Sequence, residues 1–203
     1  MWSLSMRIPL AASLLLLVAA CAPADAGTLD RCRSYSQAVR TAHAYYFGLD
    51  FPWHYSVAQL QQESRCRDVV SRDCVGSQGV AQITYRWWQK PLAKAGIPEI
   101  DTRENHLRAQ AYINWDAWVQ NPHRRLWVSY QIYNGGRLVL QEVERAGKVD
   151  HAAARAECRR RVIRFGNGQE IDACDINYEY SERIERYAEN YRLFEDPARY
   201  PFW

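Results

Sequence analysis

A single, mainly α-helical domain is the fold class this sequence predicts, and three observations predict it. Apolar residues recur at helical spacing in several segments, glycines stand where those segments should stop, and sustained period-two alternation is missing throughout. The chain has 203 residues, 48% of them hydrophobic and 13% aromatic, which suits one core better than two.

The first segment reads as an export signal over residues 1–26. Arg7 precedes an apolar run from Ile8 to Ala20, a positive region followed by a stretch too short to span a bilayer comfortably. Two cleavage readings fit. Val18-Ala19-Ala20-Cys21 has the form of a lipobox, making residues 1–20 a lipoprotein signal and Cys21 a lipidation site. Ala24-Asp25-Ala26 before Gly27 suits ordinary signal peptidase. The lipobox reading is preferred, and it places the protein in the periplasm, lipid-anchored to the outer membrane; the other leaves it secreted.

The next helix start is read at Ser56-Val57-Ala58-Gln59, which has the Ser-x-x-Gln pattern of a capping box. From there Val57, Leu60 and Glu63 follow at i, i+3 and i+6, tilting Glu63 toward the apolar side. Residues 27–55 are taken as an extension packed on the domain, 56–194 as the domain proper and 195–203 as a tail. Asp68 to Gln82, with Gly76 and Gly79 among Ser, Asp and Arg, reads as a long loop that re-enters structure at Val80.

Leu107, Ala111, Trp115 and Trp118 predict one further helix, with both tryptophans in the core. The apolar segment from Leu126 to Tyr133, stopped by Gly135-Gly136, predicts another. Leu138 to Ala146 stops at Gly147, and Ala152 to Phe165 stops at Gly166. Ile184, Tyr187, Tyr191 and Phe194 mark an amphipathic last helix with Ser181 as its N-cap. A small irregular excursion is expected between Gly166 and Asp175.

Either cleavage removes Cys21 from the thiol pool and leaves five cysteines. In an oxidising compartment, local loops favour Cys66 with Cys74 and Cys158 with Cys174, leaving Cys32 over.

Several chemistries are disfavoured. The net charge of +3, from 26 basic and 23 acidic residues, is too balanced for a dedicated nucleic-acid binder. Five histidines occur without His-Glu-x-x-His spacing and the cysteines lack zinc-ribbon spacing, so no metal and no cofactor are expected. Gly-x-Ser-x-Gly is missing, since Ser77 directly follows Gly76. Arg155, Arg159, Arg160, Arg161 and Arg164 read as a solvated helix face.

What remains is an ordered set of motifs. Gln62-Glu63-Ser64 is followed by Ser71, then Gly76-Ser77-Gln78-Gly79-Val80-Ala81-Gln82, then Tyr133-Asn134-Gly135-Gly136 and a late Tyr180 with Ile184 four positions on. This series resembles the soluble lytic transglycosylase family of the lysozyme-like superfamily. The family shows Glu-Ser at a helix end, a loop Ser, a Gly-Leu-Met-Gln turn, an Ala-Tyr-Asn-Ala-Gly segment and a late Tyr. The resemblance runs from about Ser56 to Tyr191, with Gly-Val-Ala-Gln in place of Gly-Leu-Met-Gln and Cys66 where an aromatic is usual.

The resemblance implies a lysozyme-like domain with its catalytic glutamate on a helix and, here, a disulfide-containing insertion before the last helix. It implies Glu63 as the catalytic acid and base, with Ser71, Gln82, Asn134 and Tyr180 lining the substrate site; Tyr178 competes with Tyr180 for the last role. The implied substrate is the peptidoglycan glycan strand. The implied reaction cuts the MurNAc-GlcNAc β-1,4 bond and leaves a 1,6-anhydro-MurNAc end. Two other functions stay open: a goose-type muramidase in which Asp68 or Asp73 activates water, and a non-catalytic wall-binding module. Service to an envelope-spanning secretion, conjugation or phage machine is a further possibility. For Trp87 and Trp88, sugar stacking and packing stand level.

Overall fold

The computed structural model describes residues 25–71, 76–164 and 170–203. Cys21, the cleavage sites, Asp73 and Cys74 lie outside the described residues. Within them the chain is mainly helical: α1 (Ala26–Arg33), α2 (Ser36–Phe47), α3 (His54–Ser64), α4 (Tyr85–Lys94), α5 (Arg103–Gln120), α6 (Leu126–Gly135), α7 (Leu138–Ala146), α8 (His151–Ala156) and α9 (Ala173–Ala188). A short antiparallel pair, β1 (Val162–Arg164) and β2 (Glu170–Asp172), precedes α9 with Ile163 opposite Ile171. No described helix is long and apolar enough to cross a membrane.

α3 is the axis of the fold. Every residue from His54 to Gln61 is buried, so the helix is enclosed on all sides by α1, α2 and α9 rather than laid on a surface. Enclosure forces its polar side chains to find partners inside the protein. Ser56 Oγ lies 3.2 Å from Tyr130 Oη, and Gln61 accepts the hydroxyl of Tyr191.

That explains why the predicted capping box is not one. α3 begins two residues before Ser56, with no side-chain cap, and Ser56 and Gln59 serve as internal hydrogen-bonding groups. The helix closes at Arg65 and Cys66, both left-handed, with Cys66 N–H donating to Leu60 O at 3.1 Å.

This closure turns Cys66 inward, and there the predicted partner is wrong. Cys66 bonds to Cys32 of α1, 34 positions away, not to Cys74. Spacing favoured the short loop, but both Cys32 and Cys66 are buried where α1 meets the end of α3. The Cys158–Cys174 bond is as expected.

The other helices pack outward from this axis: α2 on α5, α5 on α6, α6 on α9 and α7, and α7 on α8. Trp118 is in the core and Trp115 packs against it, as predicted. α6 and α7 end at Gly136 and Gly147 as their glycines indicate. Two boundaries differ. The helix expected over Ala152–Phe165 stops at Ala156, because Cys158 is tied to Cys174 and the chain then enters β1. The arginines after Arg155 therefore flank or enter a hairpin instead of a helix face. The last helix starts at Ala173, capped by Asp172 Oδ1 on Cys174 N–H at 2.9 Å, while Ser181 is buried mid-helix and accepts from Gln131 at 3.1 Å. Tyr191 and Phe194 follow that helix.

Both chain segments outside 56–194 enter the core. Val39, Phe47, Phe51 and Trp53 contribute from one side, Tyr200 and Phe202 from the other. The first turn of α6 lacks a side-chain cap, and its Leu126 and Trp127 amides donate to Pro201 O at 2.9 Å and Phe202 O at 3.1 Å.

Candidate functional site

Glu63 sits at the last turn of α3, where the buried axis reaches the surface. It lines a cleft of about 390 Å³ together with Ser71, Ser77, Gln82, Thr84, Trp87, Trp88, Tyr133 and Asn134. Segments distant in sequence thus converge: the end of α3, the loop and turn before α4 with the first turn of α4 itself, Ile113 of α5, and the C-terminal turn of α6.

The loop is shaped by backbone bonds that its glycines permit. Ser71 N–H donates to Ser77 O at 2.8 Å and Gly79 N–H to Val69 O at 2.9 Å. Gly79 has φ +73, and a Cβ there would meet the His106 ring, so only glycine fits. The turn that follows is held from three sides. Ser64 Oγ donates to Val80 O at 2.8 Å, Tyr133 Oη donates to Ala81 O at 2.8 Å, and Ala81 N–H donates to His106 Nε2 at 3.2 Å. The Ser of the Glu-Ser pair therefore ties the turn to the end of α3.

Gln82 is itself left-handed, φ +49, and its amide nitrogen donates to Gly79 O at 2.7 Å and Val69 O at 2.9 Å. With its nitrogen so engaged, the carboxamide is held rigidly at the cleft wall, and its oxygen is the group of that amide that can accept from a ligand. Asn134 donates to Asn177 Oδ1 at 3.1 Å, which fixes its amide in the same way. Trp87 lines the cleft and is 63% exposed, outside the core, with the Arg86 guanidinium 5.5 Å from its ring centroid.

Of the sequence-predicted residues, Glu63, Ser71, Gln82 and Asn134 come together in this cleft. Tyr180 joins them from the buried side, donating its hydroxyl to Glu63 Oε1 across α9 and α3. Tyr178 points elsewhere and donates to Glu142 at 2.7 Å. Asp68 faces a separate hollow, lined also by Tyr35, Asp101 and Arg103. Among the described residues that line the cleft, Glu63 is the one carboxylic acid.

Burial raises the Glu63 pKa to about 8, although the Tyr180 hydrogen bond pulls the other way. The carboxyl is therefore largely protonated at neutral pH and stands beside a solvent-open cleft, which is the condition for a general acid. Among the described residues no three His, Cys, Asp or Glu side chains gather as a metal site.

Sequence reasoning placed Ser64 and Ser77 within its motifs without giving them a role and missed Thr84; the hydroxyls of these residues brace the turn, Ser77 and Thr84 meeting at 2.8 Å. It also missed Gln59, one turn before Glu63. The recurrence of Ser56, Gln59 and Glu63 at i, i+3 and i+7 was the available signal. Compared with known protein families, with curated proteins and with solved structures, the chain finds no match.

Proposed function

We propose that this protein is a peptidoglycan lytic transglycosylase with a lysozyme-like domain, cutting the MurNAc-GlcNAc β-1,4 bond of glycan strands and leaving 1,6-anhydro-MurNAc ends. In this reading it is an exported carbon-oxygen lyase of the periplasm. A lipid on Cys21 would hold it at the membrane, where it would serve general wall turnover or an envelope-spanning machine.

The observation that carries the reading is the Glu63 carboxyl, pushed toward its protonated form by burial and alone among acids in the described lining of a cleft otherwise formed by neutral amides, hydroxyls, indoles and apolar groups. Glycosidases that use water or a protein nucleophile divide the work between two carboxyl groups within about 10 Å. In the proposed reaction the substrate supplies the second group. The N-acetyl oxygen of MurNAc attacks its own anomeric carbon as Glu63 protonates the leaving oxygen. The resulting carboxylate then takes the proton of the sugar's 6-hydroxyl as that oxygen attacks the anomeric carbon, breaking its bond to the N-acetyl oxygen, restoring the acetamido group and closing the anhydro ring.

The neutral groups suit this task. Gln82 offers an acceptor and Asn134 a fixed amide to orient acetamido groups, and Trp87 offers a face for the apolar side of a pyranose. The muramidase alternative asks for a second acid at the cleft; Asp68 faces the other hollow, and Asp73 lies outside the described residues.

The test is mass spectrometry of soluble products after the mature protein digests peptidoglycan, with Glu63→Gln as control. Anhydro-muropeptides that vanish in the variant are expected. Reducing muropeptides would replace the reading with a hydrolase, and no product with retained binding would replace it with a wall-binding module.

A further inference from the structure

Behind Glu63 runs a chain of buried hydrogen bonds that ends on a backbone carbonyl. His43 Nδ1 lies 2.9 Å from Val39 O, which can only accept, so Nδ1 carries the hydrogen. His43 is fully buried, its ring stacked near Phe47 and Phe51, and burial lowers its pKa to about 4. A neutral ring with hydrogen on Nδ1 must accept at Nε2, and Asn114 Nδ2 donates to it at 3.2 Å.

That fixes which way the Asn114 amide faces, and its nitrogen also donates to Gln59 Oε1 at 2.9 Å. Gln110 Nε2 donates to the same oxygen at 2.8 Å and to Ser56 O at 3.0 Å. Doubly held at its oxygen, Gln59 cannot turn over, and its nitrogen donates to Tyr180 Oη at 3.1 Å. The Tyr180 hydrogen is thereby pushed to the one remaining acceptor, Glu63 Oε1.

The arrangement leaves two wholly enclosed amide oxygens, Gln110 Oε1 and Asn114 Oδ1, with no donor among the described residues. Both nitrogens are turned to Gln59, that of Asn114 also to His43 and that of Gln110 also to Ser56 O. Buried acceptors left open are costly, and a core selected for stability alone would pair or remove them.

We propose that Gln59, oriented by Asn114 and His43, is a positioning residue that holds the Tyr180 hydroxyl as a donor to Glu63 Oε1 and so confines the acid's proton to Oε2. This rests on Glu63 being the acid of the proposed reaction. A carboxyl that accepts at Oε1 keeps its proton on Oε2, so the proton is delivered from one defined atom. The titratable groups facing Glu63 are Tyr180 from α9 and Tyr133 from α6, both held neutral by burial with pKa values well above 10.

The test reads Glu63 directly. In protein labelled with ¹³C at glutamate side-chain carboxyls, the Glu63 signal is assigned by its loss in Glu63→Gln and titrated in wild type and in Gln59→Met. The expected result is a midpoint about one pH unit or more higher in Gln59→Met, as removal of an oriented hydrogen bond to the carboxylate implies, with kcat lower and KM little changed. An unmoved midpoint in a folded variant would overturn the proposal. If Gln59→Met does not fold, the ¹⁵N shifts of His43 in the wild type decide: hydrogen on Nδ1 is expected, and hydrogen on Nε2 would reverse the chain of donors and end the argument. Wild-type protein that releases no muropeptide would sink the functional reading alone, because these signals do not depend on turnover.

Discussion

His106 holds Ala81 by accepting its amide hydrogen at Nε2, 3.2 Å away, and through that bond it supports the turn that carries Gln82. An imidazole can accept only when neutral, and burial lowers the His106 pKa from 6.5. Because the folded value lies below the unfolded one, this contribution is present above pH 6.5 and is lost as pH falls through the folded pKa. Amide exchange across residues 79–82 should therefore accelerate as the solution is acidified below 6.5, beyond the intrinsic trend. In His106→Gln that added pH dependence should be gone; if it persists, another group is responsible.

Glu63 carries the opposite sign. Its pKa rises from 4.5 to about 8 on folding, so the folded protein holds a proton that the unfolded chain releases between those values. Its contribution is complete below 4.5 and is lost as pH rises to about 8, on the order of a few kcal/mol. Urea unfolding at the two ends of that window should show Glu63→Gln gaining on wild type toward the alkaline end. Parallel curves would mean the carboxyl is not buried in the way described.

The same titration shapes the rate. If Glu63 must begin protonated, kcat/KM should fall as pH passes about 8, roughly tenfold for each further unit. A rate still rising beyond that point would place a different group in the acid's role.

Cys32→Ser should lower stability by about 2–4 kcal/mol by releasing α1 from the end of α3. Peptide mapping of the unreduced protein should recover Cys32 linked to Cys66; a Cys66–Cys74 peptide would contradict the fold as described.

Trp87→Ala should leave thermal stability within about 0.5 kcal/mol of wild type, as an exposed side chain allows. Glycan affinity should drop several-fold if the indole stacks on sugar. Unchanged affinity would remove Trp87 from the binding surface.

Much of this was legible in the sequence, and the part that was not has a common cause. Gly136 and Gly147 end α6 and α7 as read, because a helix stop by glycine is a local matter of backbone conformation. Glu63, Ser71, Gln82 and Asn134 meet as expected because each stands at the end of an element or in a loop, where short motifs mark position. The failures are long-range. Ser56 and Gln59 have the pattern of a cap, but the enclosure of α3 gives them tertiary partners instead. Cys66 finds Cys32 because the left-handed close of α3 aims it at α1, which spacing cannot express. Asp172 caps the last helix nine residues ahead of Ser181, in a hairpin too short to announce itself by periodicity.

The carbonyls of Pro201 and Phe202 complete the first turn of α6, whose amides were laid down some seventy-five positions earlier. On a ribosome the helix over 126–135 is therefore made long before its missing partners exist. It waits, with Tyr55 and Tyr130 uncovered where Phe202 will later stack. These contacts join positions far apart in the chain, and non-local pairing of that kind slows folding and exposes apolar surface meanwhile. A chain released before Tyr200 would stay open at the wall of its own central helix.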